Sequence, residues 1–196
     1  MTIELPHSFA DLSVKQLIIL HTSGSDNVCL MNLTGLNREE LLKRPKNLLD
    51  AAYEHLKELR SQEHGEHLER LLIDGVEYGF INDWDAFSFG EYIDIQDYAK
   101  DVYTNAEKML SLLYRPIIQD NGKDYTIAPY TSKENEKVFE NVPATVLAGA
   151  MLFFWTSKRD LLNPLRRSLR EAIVAIASTP NGVGTLQSLP LQMKTS

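Results

Sequence analysis

PATVLAGAMLFFWTSKRDLL, Pro143 to Leu162, holds a run of twelve residues without charge, Ala144–Trp155, and closes in a burst of charge at Lys158, Arg159 and Asp160. A membrane-spanning helix needs about 20 mostly apolar residues. This run is shorter, Thr145 and Gly149 interrupt it, and Thr156 follows it. An amphipathic surface anchor needs a polar face alongside the apolar one, and Ala144–Trp155 offers none. A helix apolar all round is buried on all sides. The stretch is therefore expected to form the central core helix of the domain. It starts at a cap on Asn141, with Pro143 just inside, and runs to about Leu162, where Pro164 limits it. Its C-terminal end, Trp155 to Leu165, is expected to be offered to a partner.

The rest of the composition agrees with a domain built around such a core. The chain has 196 residues, 43% of them apolar and 24% charged, enough for one domain with an appendage. Its net charge of −7 excludes wrapping of nucleic acid, which requires phosphate neutralisation. Residues 157–196 carry six cations against two anions, so the remainder has an excess of eleven negative charges. That asymmetry favours docking onto an acidic partner or between copies. Cys29 is the sole cysteine and sits in an apolar run, as a small buried thiol does. The first residues, MTIELPHSFADLS, show neither the basic nor the apolar region of a secretion signal.

Capping signals punctuate the first half. TIEL reads as a short strand closed by Pro6. Ser13 and Gln16 form a capping box ahead of a helix that turns Val14, Leu17, Ile18 and Leu20 inward. Gly35 ends a second helix, and Asn37 with Glu40 opens a third that stops at Pro45. Leu48, Leu49, Ala52, Tyr53, Leu56 and Leu59 then recur at helical spacing. Asp74-Gly75, between apolar runs, predicts a hairpin with a type I′ turn. Ser88 and Glu91 make another capping box. Ala106, Met109, Leu110 and Leu113 share one face of a helix that Pro116 is expected to terminate. Asn121-Gly122 and YTIAPY are expected to add strands to the hairpin's sheet. The sum is an α+β fold, mostly helical with a small antiparallel sheet, over residues 1–163. A basic amphipathic helix and loose tail occupy 164–196.

No motif for catalysis stands out. His64 and His67 in EHGEHLE are three apart, with Glu63, Glu66 and Glu69 around them. Gly65 separates the histidines, and a structural zinc site usually takes four ligands, often thiolates. The segment reads as a solvated connector and no metal or cofactor is expected. Asp83, Asp85, Glu91, Asp94 and Asp97 could include a catalytic carboxylate pair. Glu91, Asp94 and Asp97 fall instead at the spacing of the exposed face of a half-buried helix. Arg115 reads as a cation placed at the negative end of a helix. The phosphate-binding glycine loops and the nucleophile elbow are missing.

The segments Leu5–Gln16, Leu33–Leu41, Leu71–Phe80, Gly90–Tyr98, Ala106–Ile117 and Val142–Trp155 follow one another in an order that resembles a group of bacteriophage morphogenesis proteins, the tail assembly chaperones. The resemblance covers roughly residues 3–162 and rests on the order of structural segments rather than on catalytic ones. It implies a non-enzymatic protein of the host cytoplasm that shelters apolar surfaces of tape-measure or other tail components, without a cofactor. A homo-oligomer is compatible with it. The alternative is a structural virion component, such as a connector or tail-completion subunit, held by its C-terminal helix. The residues expected to touch the partner are Phe153, Phe154, Trp155, Leu161, Leu165, Arg166, Arg167, Leu169, Arg170 and Ile173.

Overall fold

The computed structural model describes residues 3–81, 87–122, 124–131 and 136–156. All belong to the first of two compact units, Met1–Thr156 and Ser157–Ser196. The expected boundary at 163, the last helix and the residues Leu161, Leu165, Arg166, Arg167, Leu169, Arg170 and Ile173 lie outside the described residues. So do Asp83 and Asp85.

The α+β expectation is met. Four helices come first: α1 (Val14–Thr22), α2 (Asp26–Thr34), α3 (Arg38–Leu42) and α4 (Lys46–Ser61). The hairpin β1 (Arg70–Ile73) and β2 (Val76–Phe80) follows, then α5 (Phe89–Tyr98) and α6 (Ala106–Leu113). The strands β3 (Tyr114–Asp120) and β4 (Tyr125–Ile127) complete a four-stranded antiparallel sheet in the order β1-β2-β3-β4. A last helix, α7, spans residues 144–156.

The local signals act as their chemistry demands. Ser13, Asn37 and Ser88 each accept from the backbone N–H three residues on, and Gln16, Glu40 and Glu91 return the bond. Gly35 closes α2 in the left-handed region at φ +72°. The β1–β2 turn places Asp74 at φ +49° and Gly75 at +80°, the two positive values a type I′ turn requires. Ile73 then faces Val76, and Leu71 faces Tyr78, so the core-facing side chains stay in register.

Three expectations are corrected by packing. Residues 3–6 form no strand. The Pro6 carbonyl is held by His55 Nε2 of α4 at 2.7 Å instead. Pro116 does not terminate α6, because the chain turns into β3 already at Tyr114, where Phe80 of β2 pairs with it. Helix α7 begins at residue 144, one residue beyond Pro143 and three beyond the expected Asn141 cap. The N-terminal segment fixes that start: Pro143 bridges Ser13, Val14 N–H donates to Val142 O at 2.8 Å, and Ala144 N–H to Leu12 O at 2.8 Å.

The core joins Phe9, Leu17 and Leu20 to Leu56 and Leu59 of α4, Phe80 and Tyr114 of the sheet, Met109 to Leu113 of α6, and α7. Within α7, Ala144, Val146, Leu147, Ala150, Met151 and Phe154 are buried, as a helix central to the core requires. Cys29 is fully buried, and burial pushes its thiol pKa up, away from nucleophilic chemistry.

Glu91 overturns the reading of α5. It is the only buried charged residue among the described ones, and its Oε1 meets Arg115 Nη1 at 3.0 Å. Arg115 belongs to β3, not to a helix end. Desolvation lowers its pKa, while the Glu91 carboxylate works in the opposite direction. Asp94 accepts from Tyr130 OH at 2.7 Å, and Asp97 faces solvent beside Lys100. The carboxylates of α5 are thus divided between a buried structural pair and the surface.

Candidate partner-binding cleft

Helix α7 has two faces of unlike fate. Leu147, Met151 and Phe154 point into the core with 2%, 7% and 5% exposure. Ala148, Leu152 and Trp155, spaced i, i+4, i+7, run along another side, where Leu152 is 61% and Trp155 45% exposed. With Leu147 and Met151 of the same helix and Leu17 of α1, they line an open cleft of about 520 Å³. One wall is Glu63, His64 and Gly65 of the segment between α4 and β1. The other is the α5–α6 connector, Ala99 to Tyr103.

The first wall is the segment expected to be a solvated connector, and the structure corrects that reading. Residues 62–69 lie as a strap across α7, backbone against backbone. A Cβ on Gly65 would run into the Thr145 carbonyl and stand 2.5 Å from Gly149 N, and one on Gly149 would run into the Glu66 carbonyl and stand 2.9 Å from His67 N. Only glycine at both positions allows this approach. Beyond it the His67 ring stacks on Phe153 at 4.0 Å and meets the edge of Phe80 at 4.4 Å. Tyr114 OH then donates to Leu68 O at 2.6 Å and Tyr125 OH to Glu69 O at 3.1 Å. His64 lies against Phe9 at 5.6 Å. The two histidines thus have separate neighbours, and among the described residues no three His, Cys, Asp or Glu side chains come together as a metal site would need.

The two walls are tied to each other. Tyr103 OH donates to Glu63 Oε1 at 2.6 Å, and the His21 ring stacks beneath Tyr103 at 3.8 Å with Nε2 3.9 Å from the same carboxylate oxygen. Burial lowers the His21 pKa, with Arg60 adding to the effect and Glu63 opposing it. Burial lowers that of His67 as well, against Glu69. Both rings have one nitrogen, Nε2 of His21 and Nδ1 of His67, buried without a hydrogen-bond partner.

A pH dependence follows with a definite sign. Two histidines whose folded pKa lies below the ordinary 6.5 favour the unfolded chain as protons are added. Their contribution is complete above pH 6.5 and is lost as the pH falls from there through the folded values. Urea midpoints should therefore drop between pH 7 and pH 5, and His67→Gln should flatten that slope. An unchanged slope in the variant would remove His67 as its source.

Of the expected partner residues that are described, only Trp155 faces outward. Phe154 is turned into the core, and Phe153 is held between His67 and, at 5.3 Å, Phe80. The apolar run hid this division, since a stretch without polar residues gives no phase for its faces. Leu152 carried no signal of its own for the same reason. Glu63 and Tyr103 carried no signal, because 40 residues separate them.

No family model, curated protein or solved structure matches the chain. Among the described residues no helix is long and apolar enough to cross a membrane.

Proposed function

We propose that this chain is a non-enzymatic binding protein that shelters an apolar segment of a partner in the cleft over Leu152 and Trp155, acting as a tail assembly chaperone does in building a bacteriophage. The observation that carries the binding part is the exposed end of α7. A leucine and a tryptophan stand at 61% and 45% exposure on a helix otherwise committed to the core. Tryptophan is among the residues that dominate binding energy at protein interfaces. The cleft walls are fixed by the Gly65–Gly149 contact and the Tyr103–Glu63 bond, so little ordering is required when a partner arrives. Of the carboxylates a hydrolytic reading would use, Asp83, Asp85 and Glu91, the first two lie outside the described residues and Glu91 is engaged by Arg115. The bacteriophage part is supported by the order of sequence segments described above.

The test is affinity capture of the full chain from infected cells, with mass spectrometry of what it holds. A tape-measure or other tail component should be recovered, and Leu152→Asp should reduce its recovery by about tenfold or more, the effect of removing an interface anchor. Leu152 is exposed, so this variant should keep the wild-type melting temperature. Recovery unaffected by Leu152→Asp places the partner elsewhere. Stoichiometric presence of the chain in purified particles replaces the chaperone reading with that of a structural virion component.

A further inference from the structure

The shape and charge of the cleft narrow its occupant, given the binding reading above. From α7 it is lined by Leu147, Ala148, Met151, Leu152 and Trp155, one continuous apolar face of the helix. Such a face is the complement of another helix, whose own side chains repeat with the same rise. A small enclosed ligand would be served by a closed cavity. Here the apolar floor instead continues outward onto the exposed parts of Leu152 and Trp155.

The charges at the rim have one sign in excess. Glu63 and Asp101 stand on opposite walls. Lys100, the cation beside them, is already bound to Asp97. The Glu63 carboxylate accepts from Tyr103 OH, and Asp101 accepts from Thr104 N–H and Oγ1, bonds that lower the Asp101 pKa. The surrounding body is acidic, with eleven excess negative charges outside residues 157–196. A segment entering between two carboxylates on an acidic body is favoured when it is cationic.

We propose that the cleft receives one amphipathic α-helix of a partner protein, apolar toward Leu152 and Trp155 and bearing Lys or Arg where it passes Glu63 and Asp101.

The experiment uses the full chain carrying Trp84→Phe, so that Trp155 is the single tryptophan, and three synthetic peptides of roughly 18 residues, about 27 Å as a helix. The first has leucine and alanine at helical spacing with lysine on the polar face. The second keeps the apolar face and replaces lysine by glutamate. The third has the composition of the first with its periodicity scrambled. The lysine helix should shift Trp155 emission to the blue and bind at least about tenfold more tightly than the other two. Leu152→Asp should abolish that shift. Glu63→Gln with Asp101→Asn should narrow the preference for lysine over glutamate; the glutamine keeps the one oxygen that accepts from Tyr103, and the asparagine keeps one of the two that accept from Thr104.

Equal binding of the glutamate helix overturns the charge assignment. Equal binding of the scrambled peptide shows attraction by charge alone and overturns the helix. If no peptide binds but a small apolar dye fills the cleft, the occupant is a small molecule and the proposal fails. The inference and the binding reading fail separately. Loss of a captured tail component in Leu152→Asp, without any preference among the peptides, keeps the binding reading and rejects the cationic helix.

Discussion

Arg115→Met should destabilise the protein by about 3–5 kcal/mol, the cost of leaving one member of a buried ion pair alone. The side chains of Arg115 and Glu91 are 13% and 5% exposed, and their 3.0 Å contact joins β3 to the first turn of α5. Without the guanidinium, the Glu91 carboxylate would keep only the Ser88 backbone N–H, at 2.6 Å, among its described hydrogen bonds. The strength of the expectation lies in its non-additivity. Adding Glu91→Gln to Arg115→Met should recover a large part of the loss, because glutamine still serves the Ser88 capping box and brings no buried charge. Urea unfolding of the two single variants and the double variant measures this directly. Equal and additive losses would mean that the pair contributes by packing alone. Arg115 Nε is buried with no hydrogen-bond partner, so the pair is incompletely satisfied, and a well-packed apolar replacement at both positions should be tolerated.

Gly149→Ala should also lower stability, by about 2–3 kcal/mol, the ordinary cost of overpacking a core contact. Helix propensity argues in the opposite direction, since alanine is better than glycine by about 1 kcal/mol in a helix interior. The contact with the strap decides the sign: a Cβ there would meet the Glu66 carbonyl and His67 N, both backbone groups that cannot turn aside as a side chain can. The melting temperature should fall by roughly 5–10 °C for a domain of this size. Gly90→Ala is the control. It too lies in a helix, but the nearest atom to its Cβ would be Ser88 Oγ at 3.9 Å. If the two variants melt alike, the strap does not press on α7. Gly65→Ala should reproduce the Gly149 effect without the propensity gain, because Gly65 stands outside any helix.

These two contacts also mark what could and could not be read in advance. Capping boxes at Ser13, Asn37 and Ser88, the Gly35 helix end and the Asp74-Gly75 turn were legible because each is complete within four residues or so. That Ala144–Trp155 supplies the central core helix was legible because a charge-free helix has few other places to go, but the exposure of Leu152 and Trp155 on it was not. Glu91, by contrast, looked like a member of an acidic exposed face. The same residue that caps α5 at Ser88 also turns inward, and nothing near it in sequence announces Arg115, 24 positions later, as its partner. EHGEHLE looked like a solvated connector for the same reason. Its glycine matters through Gly149, and its second histidine through Phe153.

The sequence by itself therefore determined where α1, α3 and α5 start and where α2 stops, which hairpin forms and which segment lies at the centre, since caps, turns and hydrophobic periods are local. The tertiary structure alone decided which side of α7 is exposed, what encloses the cleft over Leu152 and Trp155, and which charges are buried. Those outcomes depend on pairs such as Gly65 with Gly149, Glu63 with Tyr103 and Glu91 with Arg115, distant along the chain and brought together only when the core closes.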